Sequence, residues 1–191
     1  MIEVLANLLT FVSVLLTVHL KKSLYPVGIL STVLFLFVFW NAKLYASAGL
    51  QVYFTLIQLY GWWFWTKGAG GGEPPIGNWG WDIIALLGMV AAVLTGGVSF
   101  MLHHFTDAQA PVFDTAILAL SVLAQFLLDR KQMKNWIVWG VVDALSIYVY
   151  GSQKLWLTAT LYTVLLVNVF YGWGVWRNAK KSQIDPVAAL P

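Results

Sequence analysis

The 191-residue sequence contains no cysteine. Disulfide bonds, thiolate metal sites and cysteine nucleophiles are therefore excluded. Charged residues are also scarce, at 10% of the chain, whereas a soluble domain carries about 25%. So little charge cannot cover a surface that faces water. Because 60% of the residues are hydrophobic and come in long blocks, we predict an integral membrane protein whose surroundings are a lipid bilayer.

The usual signatures of an enzyme are missing as well. The glycine-rich stretch "GAGGGEPP" lacks the Lys-Ser/Thr pair and the helix that follow in a phosphate-binding loop. His103, His104 and Asp107 are close in sequence, but adjacent histidines point in different directions on a helix and a third strong ligand is lacking. No serine, histidine and acid converge by their spacing. We therefore predict no catalytic residue, no metal and no cofactor.

Apolar runs separated by polar breaks predict seven transmembrane helices of about 17–25 residues each. The predicted spans are residues 3–20, 25–41, 43–65, 81–101, 112–129, 135–151 and 154–176. Residues 66–80, which are rich in glycine, and residues 103–111 are predicted as linkers on the surface. The predicted fold class is therefore an all-α integral membrane protein with seven helices.

The basic residues predict how the chain is oriented. On the side of the amino terminus the only ones are Lys43 and Lys154. The other nine lie on the opposite side: Lys21, Lys22, Lys67, Arg130, Lys131, Lys134, Arg177, Lys180 and Lys181. Basic residues collect in cytoplasmic loops, so we expect the amino terminus outside and the carboxyl terminus inside. They lie at the ends of apolar runs rather than in one patch, which argues against nucleic-acid binding.

The sequence contains an internal repeat with an offset of 111 residues. The phrase "YGWWFW" at residues 60–65 returns as "YGWGVW" at residues 171–176, and the Lys-Leu pairs at 43 and 154 fall in the same register. The repeat covers spans 1–3 and 5–7, and span 4 is a connector that lets both halves cross the membrane in the same direction. Parallel repeats of this kind are typical of transporters that hold a substrate between two halves.

The repeat also predicts the domain organisation. Its parts are a first three-helix repeat at 1–66, a linker with the connecting span at 67–111, a second repeat at 112–177 and a cytoplasmic tail at 178–191. Receptors and scaffolds rarely need such pseudo-symmetry, whereas transporters that work by alternating access do need it. The duplication is therefore the first feature that indicates a function.

Span 6 carries the most informative polar residues. Trp136, Trp139 and Asp143 follow one another at i, i+3 and i+7, so they share one face of the helix. Two aromatic rings and a carboxylate suit a flat ligand ring that carries positive charge or hydrogen-bond donors. The alternative is that the tryptophans lie at the lipid interface and that Asp143 pairs with a lysine. The matching positions of the first repeat hold different groups: Tyr25, Gly28 and Thr32.

Further polar residues in the spans are candidate substrate contacts. Span 3 presents Gln51, Thr55 and Gln58 on one face, at steps of four and three residues. Gln125 in span 5 and Asn168 in span 7 complete the predicted set. The alternative for these amides is a hydrogen bond between helices, which is worth about 0.6–2 kcal/mol in a membrane.

The tryptophans of the repeated phrase are interpreted as membrane anchors rather than as substrate contacts. Its last tryptophans, Trp65 and Trp176, come just before Lys67 and Arg177. Aromatic rings beside cationic groups are typical of the boundary between lipid and water. We therefore predict that the phrase anchors each repeat at the inner interface, and that Gly61 and Gly172 allow close packing of helices.

The segments "LYASAGLQVYFTLIQLYGWWFW", "KNWIVW…D" and "LYTVLLVNVFYGWGVW" resemble the PnuC family of bacterial vitamin transporters over nearly the whole chain. The resemblance implies a SWEET-like 3+1+3 fold and a homotrimer in the bacterial inner membrane. It also implies facilitated diffusion of nicotinamide riboside, which a cytosolic kinase traps by phosphorylation. The family's span-6 motif falls on Trp136, Trp139 and Asp143, and its span-3 glutamine falls on Gln51.

One departure leaves the substrate open. The nicotinamide riboside transporters of this family carry asparagine where this chain carries Asp143. A carboxylate suits the pyridinium of nicotinamide riboside as well as the thiazolium of thiamine, whereas Asn168 suits a carboxamide and favours nicotinamide riboside. A thiamine or riboflavin transporter of the same family is the alternative. A sugar or nucleoside transporter and a membrane scaffold without transport activity are the remaining hypotheses.

Overall fold

The computed structural model describes residues 2–41, 45–68, 74–105, 111–152 and 156–184. These residues form seven α-helices: α1 (Ile2–Val18), α2 (Leu24–Asn41), α3 (Tyr45–Lys67), α4 (Trp81–Phe105), α5 (Pro111–Asp129), α6 (Asn135–Ser152) and α7 (Trp156–Ile184). The prediction of an all-α fold with seven helices is confirmed. Most helix ends lie within a few residues of the predicted ones, but α7 continues to Ile184. Lys43, Asp107 and Lys154 lie outside the described residues.

Apolar stretches lie in six of the seven helices that the structure describes. Within the described residues, α7 contains one stretch, Ala159–Gln183, that is long and apolar enough to cross a membrane. Shorter apolar stretches lie in five other helices: Val4–Val18, Leu24–Val38, Trp81–Gly97, Thr115–Asp129 and Asn135–Val149. On α4, the side chains of Leu86, Met89 and Val93 are all more than half exposed. Lipid is the environment in which such an apolar surface is stable.

The ends of α1 and α5 show the repeat in the backbone. Leu20 and Lys131 occupy equivalent positions in the two repeats, and their φ angles are 54° and 55°. In both turns an amide donates to the carbonyl five residues earlier, from Lys21 to Leu16 at 3.0 Å and from Gln132 to Leu127 at 2.8 Å. This is the hydrogen bond of a Schellman cap. Both repeats therefore end their first helix in the same way, and neither places glycine at the left-handed position.

The described residues fall into two compact units. The first lies within Met1–Ile76, Asp129–Lys131 and Gly172–Pro191, and the second lies within Gly77–Leu128 and Gln132–Tyr171. The first unit thus contains α1–α3, the turn after α5 and the end of α7. The second contains α4, most of α5, all of α6 and the first part of α7.

Hydroxyl groups connect the three amino-terminal helices of the first unit. Thr10 Oγ1 lies 2.7 Å from Ser31 Oγ, which also donates to Ala6 O at 2.8 Å, and these bonds join α1 to α2. Thr32 Oγ1 lies 2.9 Å from Thr55 Oγ1 and joins α2 to α3. Where water is scarce, small hydroxyl side chains allow close packing and satisfy one another. These four hydroxyl side chains therefore stabilise the packing of α1–α3.

The second unit has an apolar core between α5 and α6. It consists of Leu123, Ala124, Leu127 and Val138, and the partly buried side chains that pack against it are Trp79, Ile84, Leu87, Leu120 and Trp139.

The segment that precedes α4 is held by the turn before α6. The Met133 amide donates to Gly77 O at 3.0 Å, and Gln132 Oε1 accepts from the Trp79 amide at 3.0 Å. Lys134 Nζ donates to Asn78 Oδ1 at 2.9 Å. Residues 77–80 belong to the stretch predicted as a surface linker, yet they make specific hydrogen bonds. The composition was misleading here because the partners lie more than 50 residues away.

Candidate functional site

The repeated phrase does not end in interfacial anchors. Trp65 and Trp176 are fully buried, and their ring centroids lie 5.9 Å apart. Trp65 Nε1 donates to Asp129 O at 3.0 Å, and Trp176 Nε1 donates to Thr17 O at 3.0 Å. The prediction of an anchor is wrong for these two residues, because each indole N–H is used by a carbonyl inside the protein. Trp63, by contrast, is 53% exposed, as an interfacial residue would be.

Gly61 brings a buried acid against the same phrase. A Cβ atom at this position would overlap the carboxylate of Asp129 and lie 2.8 Å from Tyr25 Cε1. The prediction of close packing at Gly61 is therefore confirmed. Asp129 is fully buried, and its Oδ1 accepts a hydrogen bond from Tyr25 Oη at 3.1 Å. This acid has a structural use within the first unit.

A buried lysine completes this cluster. Lys131 is 1% exposed, and its Nζ donates to Pro74 O at 3.1 Å. The same ammonium lies 4.5 Å from the centroid of the Trp65 ring, which is the geometry of a cation–π contact. Lys131, one of the basic residues predicted on the cytoplasmic side, is a packed residue of the first unit.

The predicted polar residues of α3, Gln51, Thr55 and Gln58, lie in the first unit, and Thr55 and Gln58 contact residues of α2. Thr55 Oγ1 donates to Gln51 O at 2.8 Å in addition to its bond with Thr32. Gln58 is buried, and its carboxamide oxygen occupies the space above Gly28, where a Cβ atom would overlap it. Gln51 keeps a partly exposed side chain. The glycine on α2 therefore makes room for the amide on α3.

The predicted stripe on α6 lies in the second unit. Trp136 and Asp143 are each 3% exposed, and Trp139 is partly buried with its ring against the apolar core. The burial of Trp136 rules out a place at the lipid interface. Within the described residues, the structure records no hydrogen bond or ion pair to the Asp143 carboxylate, so the proposed lysine partner is not found. Gln125 and Asn168 are partly buried residues of the same unit.

Ser146 belongs to this stripe, although it was not among the predicted contacts. It follows Asp143 by three residues on α6 and is fully buried. Its Oγ has no hydrogen-bond partner within the part of the chain that the structure describes. The available signal was the spacing, since residues 136, 139, 143 and 146 recur on one helix face. A lone serine in an apolar helix is so common that it attracts no notice.

Buried polar groups without partners are costly in a protein interior and are typical of sites that receive a ligand. Seven α-helices, a duplicated helix ending and such groups on α6 are features expected of a membrane transporter. The chain belongs to the nicotinamide mononucleotide transporter family, whose model matches residues 1–178. It is therefore a multi-pass membrane protein of the PnuC type.

Several curated proteins are similar to this chain. The nicotinamide riboside transporter PnuC of Escherichia coli strain K12 is 24% identical over 189 residues, which cover 85% of this chain and 79% of the relative. The protein of the same name from Neisseria mucosa is 27% identical, with coverage of 84% and 66%. The riboflavin/roseoflavin transporter RibM of Streptomyces davaonensis is 23% identical, with coverage of 97% and 88%.

A solved structure has the same fold. The crystal structure of the vitamin B3 transporter PnuC matches with a TM-score of 0.74 at 22% identity, and the match covers 94% of this chain and 82% of the other. At this identity the match establishes the fold and leaves the ligand to be argued from the residues.

Proposed function

We propose that this protein is a uniporter that moves a water-soluble vitamin across the bacterial inner membrane by facilitated diffusion and alternating access. The substrate in this proposal is nicotinamide riboside, and a cytosolic kinase traps it by phosphorylation. The amino terminus lies outside, the carboxyl terminus lies inside, and the protein assembles as a homotrimer. The positive-inside distribution of basic residues supports the orientation, and the resemblance to PnuC supports the trimer.

The observation that carries the proposal is the buried Asp143 on the same helix face as Trp136 and Trp139. A carboxylate that is 3% exposed, with no hydrogen bond or ion pair recorded in the described residues, needs a partner. A ligand with a cationic aromatic ring supplies that partner, and tryptophan rings supply a stacking surface. Because Asp143 is shielded from water, the ligand reaches it only when the helices move apart, as alternating access requires.

The relatives support nicotinamide riboside in this role. The proteins of Escherichia coli and Neisseria mucosa are both named for that substrate. Its pyridinium suits Asp143, and its carboxamide suits the amide of Asn168, which lies in the same unit. Gln125 on α5 is proposed as a further contact within this unit, and the role of Gln51, Thr55 and Gln58 on α3 stays a prediction from the sequence.

A second candidate substrate is riboflavin, because the Streptomyces davaonensis relative of that name covers nearly the whole of this chain. Riboflavin offers a larger ring without a fixed positive charge. Thiamine, which is cationic, is the other alternative. Nicotinamide riboside and thiamine can therefore form an ion pair with Asp143, whereas riboflavin cannot.

The test is uptake of radiolabelled vitamins into proteoliposomes that contain the purified protein. We expect nicotinamide riboside to enter faster than into empty liposomes and to stop at equal concentrations inside and outside. Enclosing a nicotinamide riboside kinase with ATP should raise the final amount, because the phosphorylated product stays inside. The proposal fails if nicotinamide riboside, thiamine and riboflavin all enter no faster than into empty liposomes.

A further inference from the structure

Ser146 is a polar group for which neither the packing nor the proposed function accounts. It is fully buried, and its Oγ has no hydrogen-bond partner within the described residues. Hydroxyls inside these helices ordinarily donate to the carbonyl four residues earlier, as Thr10, Thr55 and Thr163 do. A buried hydroxyl that makes no such bond costs about 1–3 kcal/mol. That cost is recovered when a ligand supplies the missing partner.

In the first repeat, the polar side chain at the position equivalent to Asp143 has a hydrogen-bond partner within the protein. Thr32, the equivalent of Asp143, pairs with Thr55 at 2.9 Å. In the second repeat the position equivalent to Thr55 is Leu166, whose side chain neither donates nor accepts a hydrogen bond. The second repeat has therefore gained an acid on α6 and lost the partner that α7 would have provided.

The position of Ser146 differs between the repeats in size as well as in polarity. Its equivalent in the first repeat is Phe35 on α2. Serine at this place removes the volume of that ring and leaves a hydroxyl. The exchange puts a small side chain with a hydroxyl where the first repeat has an aromatic ring, and a ligand can bond to that hydroxyl.

The order of groups along α6 gives the ligand a direction. Trp136 and Trp139 come first, Asp143 follows about one turn after Trp139, and Ser146 lies about 4.5 Å further along the axis. A ligand whose aromatic ring stacks on the tryptophans therefore extends its other part towards Asp143 and Ser146.

We infer that Ser146 contacts the substrate, and that Ser146 and Asp143 together bind the hydroxyl groups of its ribose or ribityl part. The two carboxylate oxygens of Asp143 can face the positive charge of a pyridinium and accept a hydrogen bond from a ribose hydroxyl beside it, while the serine hydroxyl both donates and accepts. The inference rests on the proposed function, because it takes this face of α6 as the substrate site. It narrows the substrate to polyhydroxylated vitamins, such as nicotinamide riboside and riboflavin, and disfavours thiamine, which has a single hydroxyl.

The experiment compares Ser146→Ala with the matched control Ser31→Ala in the purified full-length protein. Ser31 is also a buried serine, but its hydroxyl bonds to Ala6 and Thr10. For Ser146→Ala we expect an unfolding temperature equal to or above that of the wild type, because no hydrogen bond within the protein is lost. We expect its Kd for nicotinamide riboside to rise by about three- to tenfold, the loss of one hydrogen bond.

The control variant should show the opposite pattern. Ser31→Ala should unfold at a lower temperature and keep its Kd within twofold. Free nicotinamide, which has no ribose, should bind wild type and Ser146→Ala equally. Ser146→Cys, which keeps the size but bonds weakly, should give a Kd for nicotinamide riboside between those of wild type and Ser146→Ala.

The outcomes separate this inference from the proposed function. Wild-type protein that binds no vitamin defeats the proposed function and with it the inference. Wild-type binding of nicotinamide riboside with an unchanged Kd in Ser146→Ala overturns the role of Ser146 alone. An equal loss of affinity for nicotinamide and for its riboside, or a wild-type preference for thiamine, also overturns the assignment to the hydroxyl groups.

Discussion

Trp65 and Trp176 are equivalent residues of the two repeats, and their rings meet at 5.9 Å in the first unit. Each lies in the third helix of its own repeat and donates to a carbonyl near the end of the first helix of the other repeat, at Asp129 and Thr17. The contact is therefore reciprocal. It explains why the phrase that ends in these tryptophans occurs twice, because both copies are needed to close the arrangement.

Replacing either buried tryptophan by phenylalanine should destabilise the protein. Trp65→Phe leaves Asp129 O without its donor, and Trp176→Phe does the same to Thr17 O. We expect a loss of about 1–3 kcal/mol for each, measured by thermal unfolding in detergent. The double variant should depart from additivity because the rings touch. Trp63→Phe, at a residue that is 53% exposed, is the control. A loss of stability for Trp63→Phe as large as that for Trp65→Phe would contradict the structural role of the Trp65 hydrogen bond.

Alanine at two glycines of the repeated phrases should have opposite effects. Gly61→Ala places a methyl group against the Asp129 carboxylate and the Tyr25 ring, and should cost about 1–3 kcal/mol. Gly174→Ala meets nothing within 4 Å and should be neutral or stabilise α7 by up to about 1 kcal/mol. Chemical unfolding of both variants measures the difference. Equal stability of the two would show that the close approach at Gly61 is not required.

Glycine at the two left-handed positions separates backbone strain from side-chain contacts. Both Leu20→Gly and Lys131→Gly relieve a left-handed φ that costs a non-glycine residue roughly 1–2 kcal/mol. Lys131→Gly also removes the bond to Pro74 O and the cation–π contact with Trp65. We expect the unfolding temperature to be unchanged or higher for Leu20→Gly and lower for Lys131→Gly. A lower temperature for both would mean that the Leu20 side chain contributes more than the strain costs.

Asp143 should bind the ligand without carrying protons. Asp143→Ala should abolish most vitamin uptake into proteoliposomes, whereas Asp143→Asn, which resembles the asparagine of related nicotinamide riboside transporters, should retain much of it. Both variants should unfold at or above the wild-type temperature, because they remove a buried carboxylate for which the described residues record no partner.

The same assay tests proton coupling. Wild-type uptake should be equal with and without an imposed pH gradient, since the acid is used by the ligand. Uptake that follows the gradient in the wild type and not in Asp143→Asn would show that Asp143 couples transport to protons instead.

Much of the fold was predictable from local patterns. Apolar runs set the places of the helices because the bilayer requires about 20 apolar residues for each crossing. The repeat was predictable because it is visible in the amino-acid sequence, and the matched helix ends at Leu20 and Lys131 agree with it. The use of the polar residues was less predictable. Thr55 bonds to Thr32, and Trp65 and Trp176 are internal rather than interfacial.

That this is a duplicated helical membrane protein follows from the sequence alone, because hydropathy and periodicity depend only on the order of residues. The position of Trp136, Trp139 and Asp143 on one helix face was also predictable, since it follows from 3.6 residues per turn. The tertiary structure decided which polar groups are satisfied. Asp129 and Asp143 are both buried acids, yet Asp129 receives the hydroxyl of Tyr25 from another helix and Asp143 does not have such a bond in the described residues. The difference depends on contacts between distant segments, which local patterns do not contain.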